Sequence, residues 1–443
     1  MSHIRSGGHF GALLVVGTAA SIAACTPGPC TATANCSSEG EGEGPAAEGE
    51  GEGEGEGGGE GEGEGEGEGG VPARFLIVVD PFSVGAFGIG VHGELGGKIA
   101  LGGAGSEPGQ PVLVTRGSKR IVYLPSTDLG PGTVTALDAS VDPAANINLT
   151  FAAHTGSPFQ TGASATHDVV VGNDGLTLYT FNGGVFGSVP PSITAFSLDN
   201  DGAISGTLAG SPFAIPSIGV GNGENPLQFI SDPAGRFLFA STTANTLYVF
   251  ATNGDGTITA NPGNPFSLGF ASAMLVDPTG AFLFVALGFG GVTAFTIDPI
   301  DGTPTAPGAS PAGGAPDFTR ELAITPDGST LFAAGQSSGS SGGNPVPGGI
   351  GAFQVTYSPG QTPSLAPLSG SPFLGSKSYI CMALDPGLQA VYAGDITDGS
   401  GGVIDEVALA ATLGAFAPSD ATFGEAGDDV RHMITLDTTQ SSP

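Results

Sequence analysis

From residue 74 onward the chain alternates short apolar runs with turn residues. The pattern is clearest over residues 226–259, PLQFISDPAGRFLFASTTANTLYVFATNGDGTIT. Apolar runs fall at 228–231, 236–240, 246–251 and 257–259. Between them lie Asp232-Pro233-Ala234-Gly235, then residues 242–245, then Asn253-Gly254-Asp255-Gly256. Runs this short, rich in Phe, Val, Ile and Tyr and bounded by Gly, Pro, Asn and Asp, predict β-strands joined by tight turns. The unit reads as a four-stranded meander.

The meander recurs. An aliphatic residue followed, in six of seven cases, by an aromatic one marks the second strand of each copy: Leu76-Ile77, Val122-Tyr123, Leu178-Tyr179, Leu238-Phe239, Leu283-Phe284, Leu331-Phe332 and Val391-Tyr392. The spacings are 46, 56, 60, 45, 48 and 60 residues. Four strands per period of this length predict propeller blades. A phrase repeats before the next copy: Gly156-Ser157-Pro158-Phe159, Gly210-Ser211-Pro212-Phe213, Gly263-Asn264-Pro265-Phe266 and Gly370-Ser371-Pro372-Phe373. Residues 74–78 read as a second strand without a first, and residues 431–436 as a first strand without a second. The expected fold is therefore all-β: a seven-bladed β-propeller of four-stranded antiparallel blades over residues 71–443. The N- and C-terminal strands share one blade, which leaves no open edge.

Ahead of the repeats the pattern changes twice. Residues 1–24 carry Arg5 and then an apolar stretch of small residues, the form of a signal peptide and too short for the roughly 20 residues that span a bilayer. Ile22-Ala23-Ala24-Cys25 resembles the bacterial lipobox, which implies cleavage before Cys25 and a lipid on its thiol. Thr26 rather than Asp follows, which the resemblance associates with the outer membrane or cell surface. Residues 25–70 are expected to be a disordered linker, because alternating Glu and Gly resist ordering and repel one another.

Charge narrows the partners. Net charge is −32; thirteen of the 42 acidic residues lie in the linker, and the remaining 29 face nine Lys and Arg from residue 71 onward. A body this acidic repels nucleic acid, so none is expected as a partner. The expected partners are the bilayer, through Cys25, and a small anionic or polyhydroxylated ligand or surface polymer. No Cys/His cluster with metal-ligand spacing occurs, and neither metal nor cofactor is expected. Gly88-Ile89-Gly90-Val91-His92-Gly93 fits a dinucleotide fingerprint in letters alone, since no helix follows it. Asp199-Asn200-Asp201-Gly202 and Asn253-Gly254-Asp255-Gly256 fall between third and fourth strands and read as hairpin turns rather than calcium loops.

Asp232-Pro233-Ala234-Gly235-Arg236-Phe237-Leu238-Phe239, Asp277-Pro278-Thr279-Gly280-Ala281-Phe282-Leu283-Phe284 and the Gly-Ser-Pro-Phe phrases resemble the seven-bladed lactonase-type propellers, relatives of 6-phosphogluconolactonase and of YVTN-repeat surface proteins. The resemblance covers residues 74–437. Of the Pro-Arg-His phrase found in the family's lactonases, Val430-Arg431-His432 keeps Arg-His without Pro, and no Asn-Glu follows in that blade.

Counting five and six residues back from the turn after each inner strand brings His167, Asp168, Arg320, Arg431 and His432 to the channel mouth, with Glu321 beside Arg320. His167, His432 and Glu321 are the candidate catalytic groups. Arg320, Arg431 and Asp168 are the candidate ligand-binding groups, since Arg pairs planar anions through two parallel hydrogen bonds. The expected function is a lipid-anchored binding or scaffold module of the bacterial cell envelope. The alternative is a hydrolase of lactones or sugar-acid derivatives.

Overall fold

Arg74–Val79 pairs on one side with Ser83–Ile89 and on the other with His432–Asp437, so the two ends of the repeat region meet in a single sheet. Leu95–Gly103 completes this composite blade, blade 1. The computed structural model describes residues 74–438 apart from 82, 91, 104–107, 128–129, 142–148, 173–174, 184–188, 216–223, 306, 312, 338–339, 342–343, 346, 397–402, 410–417 and 423–429. The expected signal peptide, Cys25 and the linker lie outside the described residues.

Six further antiparallel blades follow in chain order, and a small two-stranded sheet pairs Ser340–Ser341 with Asn344–Pro345 between the second and third strands of blade 6. The innermost strands of the blades are Val112–Arg116 in blade 2, Thr166–Val171 in blade 3, Pro226–Ser231 in blade 4, Ala273–Val276 in blade 5, Phe318–Ile324 in blade 6 and Tyr379–Leu384 in blade 7. Each inner strand packs against the next, and that of blade 7 against His432–Asp437, which closes the ring. Blade 5 departs from the four-stranded expectation. Three strands are followed by a single bridge from Ile297 to Pro304. Pro304, Pro307 and Pro311 lack the N–H that a fourth strand would donate.

The core lies between blades rather than within them. Every neighbouring pair shares an apolar cluster built on the repeated aliphatic–aromatic pair. The cluster of Leu76, Phe87, Tyr392, Ile404 and Met433 joins blade 7 to blade 1. Where the second-strand aromatic is Tyr, its hydroxyl crosses to the next blade. Tyr123 donates to the Gly202 carbonyl (2.6 Å), Tyr179 to that of Gly256 (3.0 Å) and Tyr392 to that of Gly93 (2.6 Å). Gly202 and Gly256 occupy the left-handed region (φ 83° and 78°), as the third-to-fourth-strand turns require. At these turns Asp199 Oδ1 accepts the N–H groups of Asp201 and Ala203.

The Gly-Ser-Pro-Phe phrase has a structural task. In blades 2, 3, 4 and 6 the side chain before the cis proline accepts a third-strand N–H: Ala136 to Ser157, Ala195 to Ser211, Val249 to Asn264 and Ala352 to Ser371, all at 2.7–2.9 Å. The Phe that follows pairs with the same third strand in each. A backbone donor left by the departing fourth strand is thereby satisfied.

Candidate functional site

The inner strands enter the channel from one face, where the loops between second and third strands also lie. Four begin with a β-bulge, at His167, Leu227, Arg320 and Ile380, each skipped in the pairing with the second strand. A bulge inserts one residue and re-aims its neighbours. The residue after each bulge stands opposite the position two beyond the second-strand aromatic: Asp168 opposite Phe181, Gln228 opposite Ser241, Glu321 opposite Ala334, Cys381 opposite Gly394. Ala273 and His432 hold that register in blades 5 and 1, and in blade 2 Gln110, just ahead of the inner strand, bridges to Asp168. One position per blade thus forms a ring around the axis.

Most of this ring binds blade to blade. Asp168 Oδ2 accepts the Phe229 N–H at 2.8 Å, and the Gln110 N–H also reaches its carboxylate. Gln228 Oε1 accepts the Met274 N–H. Cys381 Sγ donates to the Val430 carbonyl (3.6 Å). His432 Nδ1 donates to Gln110 Oε1 at 2.7 Å, which leaves Nε2 without a proton when the ring is neutral.

Burial sets the protonation states. Asp168, 7% exposed, is pushed up to about 7 by burial, against the opposing effect of its two backbone N–H partners. Glu321 is pushed up to about 8, by burial first and by the charge of Asp168 second. Burial lowers His432 to about 4, with help from the Arg431 cation, and lowers His167 as well. Burial also raises the Cys381 thiol, so this cysteine is an inert packing residue. Near neutral pH the ring therefore holds a protonated Glu321, a partly ionised Asp168 and a neutral imidazole at His432.

The six residues expected at the mouth divide into two sets. Asp168, Glu321 and His432 belong to the ring. His167 and Arg320 occupy bulges one residue further out, and Arg431 precedes the strand of His432. Arg320 is exposed and turns along its own blade. Its Nε donates to Gln336 Oε1 at 2.9 Å, and its guanidinium lies 4.5 Å from the Phe318 ring centre. Arg431 is exposed too, held through its backbone N–H to the Val79 carbonyl. Gln228 and Cys381 belong to the ring, but a count of five and six residues passes them by.

Beyond the ring, a cavity of about 320 Å³ opens where the inner strands of blades 2, 3 and 4 approach the far face, lined by Val112, Val114, Arg116, Val170 and Ser231. Arg116 Nη2 donates to the Gly175 carbonyl beside it (2.5 Å). On the mouth side of blade 4, Glu224 Oε1 accepts from the hydroxyls of Thr242 and Thr246, both at 2.5 Å. Among the described residues, no three His, Cys, Asp or Glu side chains gather as a metal site would require.

No family model and no curated protein matches the chain. Solved structures do. One, from Bacteroides uniformis, has a provisional assignment as a 6-phosphogluconolactonase; it is 17% identical, with a TM-score of 0.59, over 82% of this chain and 99% of its own. Another, a protein from Lactobacillus plantarum, is 14% identical with a TM-score of 0.57 over the same shares. At these identities the likeness is one of fold: a seven-bladed propeller with lactonase-like structural neighbours.

Proposed function

We propose that this chain is a binding or scaffold module, held at the bacterial cell envelope by a lipid on Cys25, that takes an anionic or polyhydroxylated ligand at the channel mouth. The observation behind this reading is the division of labour among the mouth residues. Asp168, Gln228, Cys381 and His432 are engaged in joining neighbouring blades, whereas Arg320 and Arg431 stand exposed at the starts of inner strands. A general base needs an imidazole that gains a proton near the working pH. His432, lowered to about 4 and tied to Gln110, is poorly suited to that task. An exposed guanidinium is suited to anion capture.

Calorimetric titration with a panel of lactones, carboxylates and sugar acids tests the mouth. The wild type is expected to bind a member of the panel, and Arg320→Ala with Arg431→Ala to weaken that binding at least about tenfold while the melting temperature holds. Turnover of a lactone would replace the binding reading with the hydrolase reading, and silence across the panel would leave the channel a structural one. The anchor has its own measurement. The intact mass of the membrane-extracted protein should equal a chain beginning at Cys25 plus acyl groups, and an unacylated chain with another N-terminus removes the envelope anchor.

A further inference from the structure

On the mouth face, blades 5 and 6 build an aromatic platform that none of the channel chemistry uses. Phe289 sits at the tip of the blade 5 loop in a short 3-10 turn, Gly288–Gly290, with 69% of its surface exposed. Phe270, 39% exposed, comes from the segment entering blade 5, and Phe318 opens the inner strand of blade 6. The Phe289 and Phe318 rings meet edge-on at 4.8 Å, and Phe270 lies 5.8 Å from Phe318. Gly288 permits this approach: a Cβ there would stand 2.8 Å from the Phe270 ring and 3.3 Å from that of Phe318. Arg320 lies on the Phe318 ring and is held by Gln336, so its planar fork is fixed beside the platform. Among the described residues, its two terminal nitrogens and the Gln336 amide nitrogen have no partner.

From this juxtaposition we infer that the platform binds a glycan carrying an isolated acidic sugar, the apolar face of a pyranose lying on Phe289 and its carboxylate in the Arg320 fork. The inference rests on reading the mouth face as a binding surface and names its ligand class. Aromatic ring faces carry negative potential and attract the weakly positive C–H groups of a sugar ring. A guanidinium pre-set by stacking and one hydrogen bond loses little freedom when it grips a carboxylate with two more. The Gln336 amide adds a donor for a hydroxyl. Charge decides the density of acid groups on the ligand. From residue 71 the chain carries 29 acids against nine basic residues, so its field repels a polyanion and tolerates one carboxylate placed against an arginine. An open platform also suits an extended chain better than a small metabolite, which an enclosed pocket would surround.

The test is calorimetric titration of the 71–443 propeller, which the structure shows closing on its own termini, with three probes: a xylo-oligosaccharide bearing one glucuronic acid, its neutral counterpart, and polygalacturonate. The singly acidic glycan is expected to bind most tightly. Phe289→Ala removes an exposed loop side chain and should weaken both oligosaccharides about tenfold or more without changing the melting temperature. Arg320→Gln should weaken the acidic glycan about tenfold and leave the neutral one within twofold. Binding that survives Phe289→Ala unchanged overturns the platform, and polygalacturonate binding as tightly as the singly acidic glycan overturns the charge argument. If none of the glycans binds while a small carboxylate or lactone still does, the glycan inference fails and the mouth reading stands. Failure of both panels removes the two together.

Discussion

Deleting residues 429–443 is expected to abolish cooperative folding. The deletion removes His432–Asp437, the strand nearest the axis in blade 1, which pairs along all six residues of Arg74–Val79. Met433 leaves the cluster between blades 7 and 1, and Leu436 leaves the one between blades 1 and 2. Each buried side chain of this size contributes roughly 1.5–3 kcal/mol. Lost with them are the His432–Gln110 and Cys381–Val430 contacts, so two blade interfaces open at once. The exposed edge would be Arg74-Phe75-Leu76-Ile77-Val78-Val79, a sequence ready to pair with other chains. Against a typical net stability of about 5–15 kcal/mol, these losses are enough to unfold the ring. Circular dichroism melting and size-exclusion chromatography should show no sharp transition and a shift to aggregate. A truncated chain that stays monomeric and melts within a few degrees of the full one would show that the closing strand is dispensable.

The strand exchange was legible in the sequence because its two halves are complete local signals. Arg74–Val79 and His432–Asp437 are each short, apolar and bounded, and only their partners are missing. The blade repeat was legible for the same reason: the second-strand pair and the turns around it are local chemistry, repeated seven times. The ring around the axis was not. Bulges at His167, Leu227, Arg320 and Ile380 leave no mark in residue type, because a bulge reflects how the inner strand meets its neighbour across the pairing. Counting back from the turns therefore placed Arg320 and Glu321 together at one mouth. The structure sends Arg320 outward to Gln336 and Phe318, and it turns the partly buried Glu321 into the ring, where it feels the charge of Asp168. The aromatic platform was hidden differently. Phe270, Phe289 and Phe318 are spread over 49 positions, and in a chain with 26 Phe nothing in sequence separates a surface ring from a core one. The missing fourth strand of blade 5 had a visible cause in its prolines, which the period alone obscured.

Glu321→Gln is expected to stabilise the protein most at pH 8 and least at pH 5. The carboxyl of Glu321 rises from 4.5 to about 8 on folding, by burial first and then by the Asp168 charge. Between those values the folded chain keeps a proton that the unfolded chain has released, so stability falls as pH rises from about 4.5 to about 8. Asp168 acts in the same direction between 3.8 and about 7. His432 acts oppositely: lowered from 6.5 to about 4, it takes up its proton more readily when unfolded, and its contribution is lost as pH falls through that window. Below 6.5 the histidine offsets part of the carboxyl effect; above 6.5 only the carboxyls remain, and above 7 chiefly Glu321. One pKa unit is about 1.4 kcal/mol, so a displacement of three units or so sets an upper limit of roughly 4–5 kcal/mol at alkaline pH. Channel water relaxing around the ionised groups would reduce it. Glutamine keeps the shape of the side chain, and its Oε1 replaces the oxygen that accepts the Leu322 N–H. At pH 5 the change therefore exchanges one neutral group for another. At pH 8 it removes a buried charge and relieves Asp168 of its neighbour. Thermal melts of both proteins at pH 5, 6.5 and 8 should separate least at pH 5, clearly at pH 6.5 and most, by several degrees, at pH 8. Equal separation at all three values would mean that Glu321 is not protonated in the folded ring and that its neighbours hold it as a carboxylate.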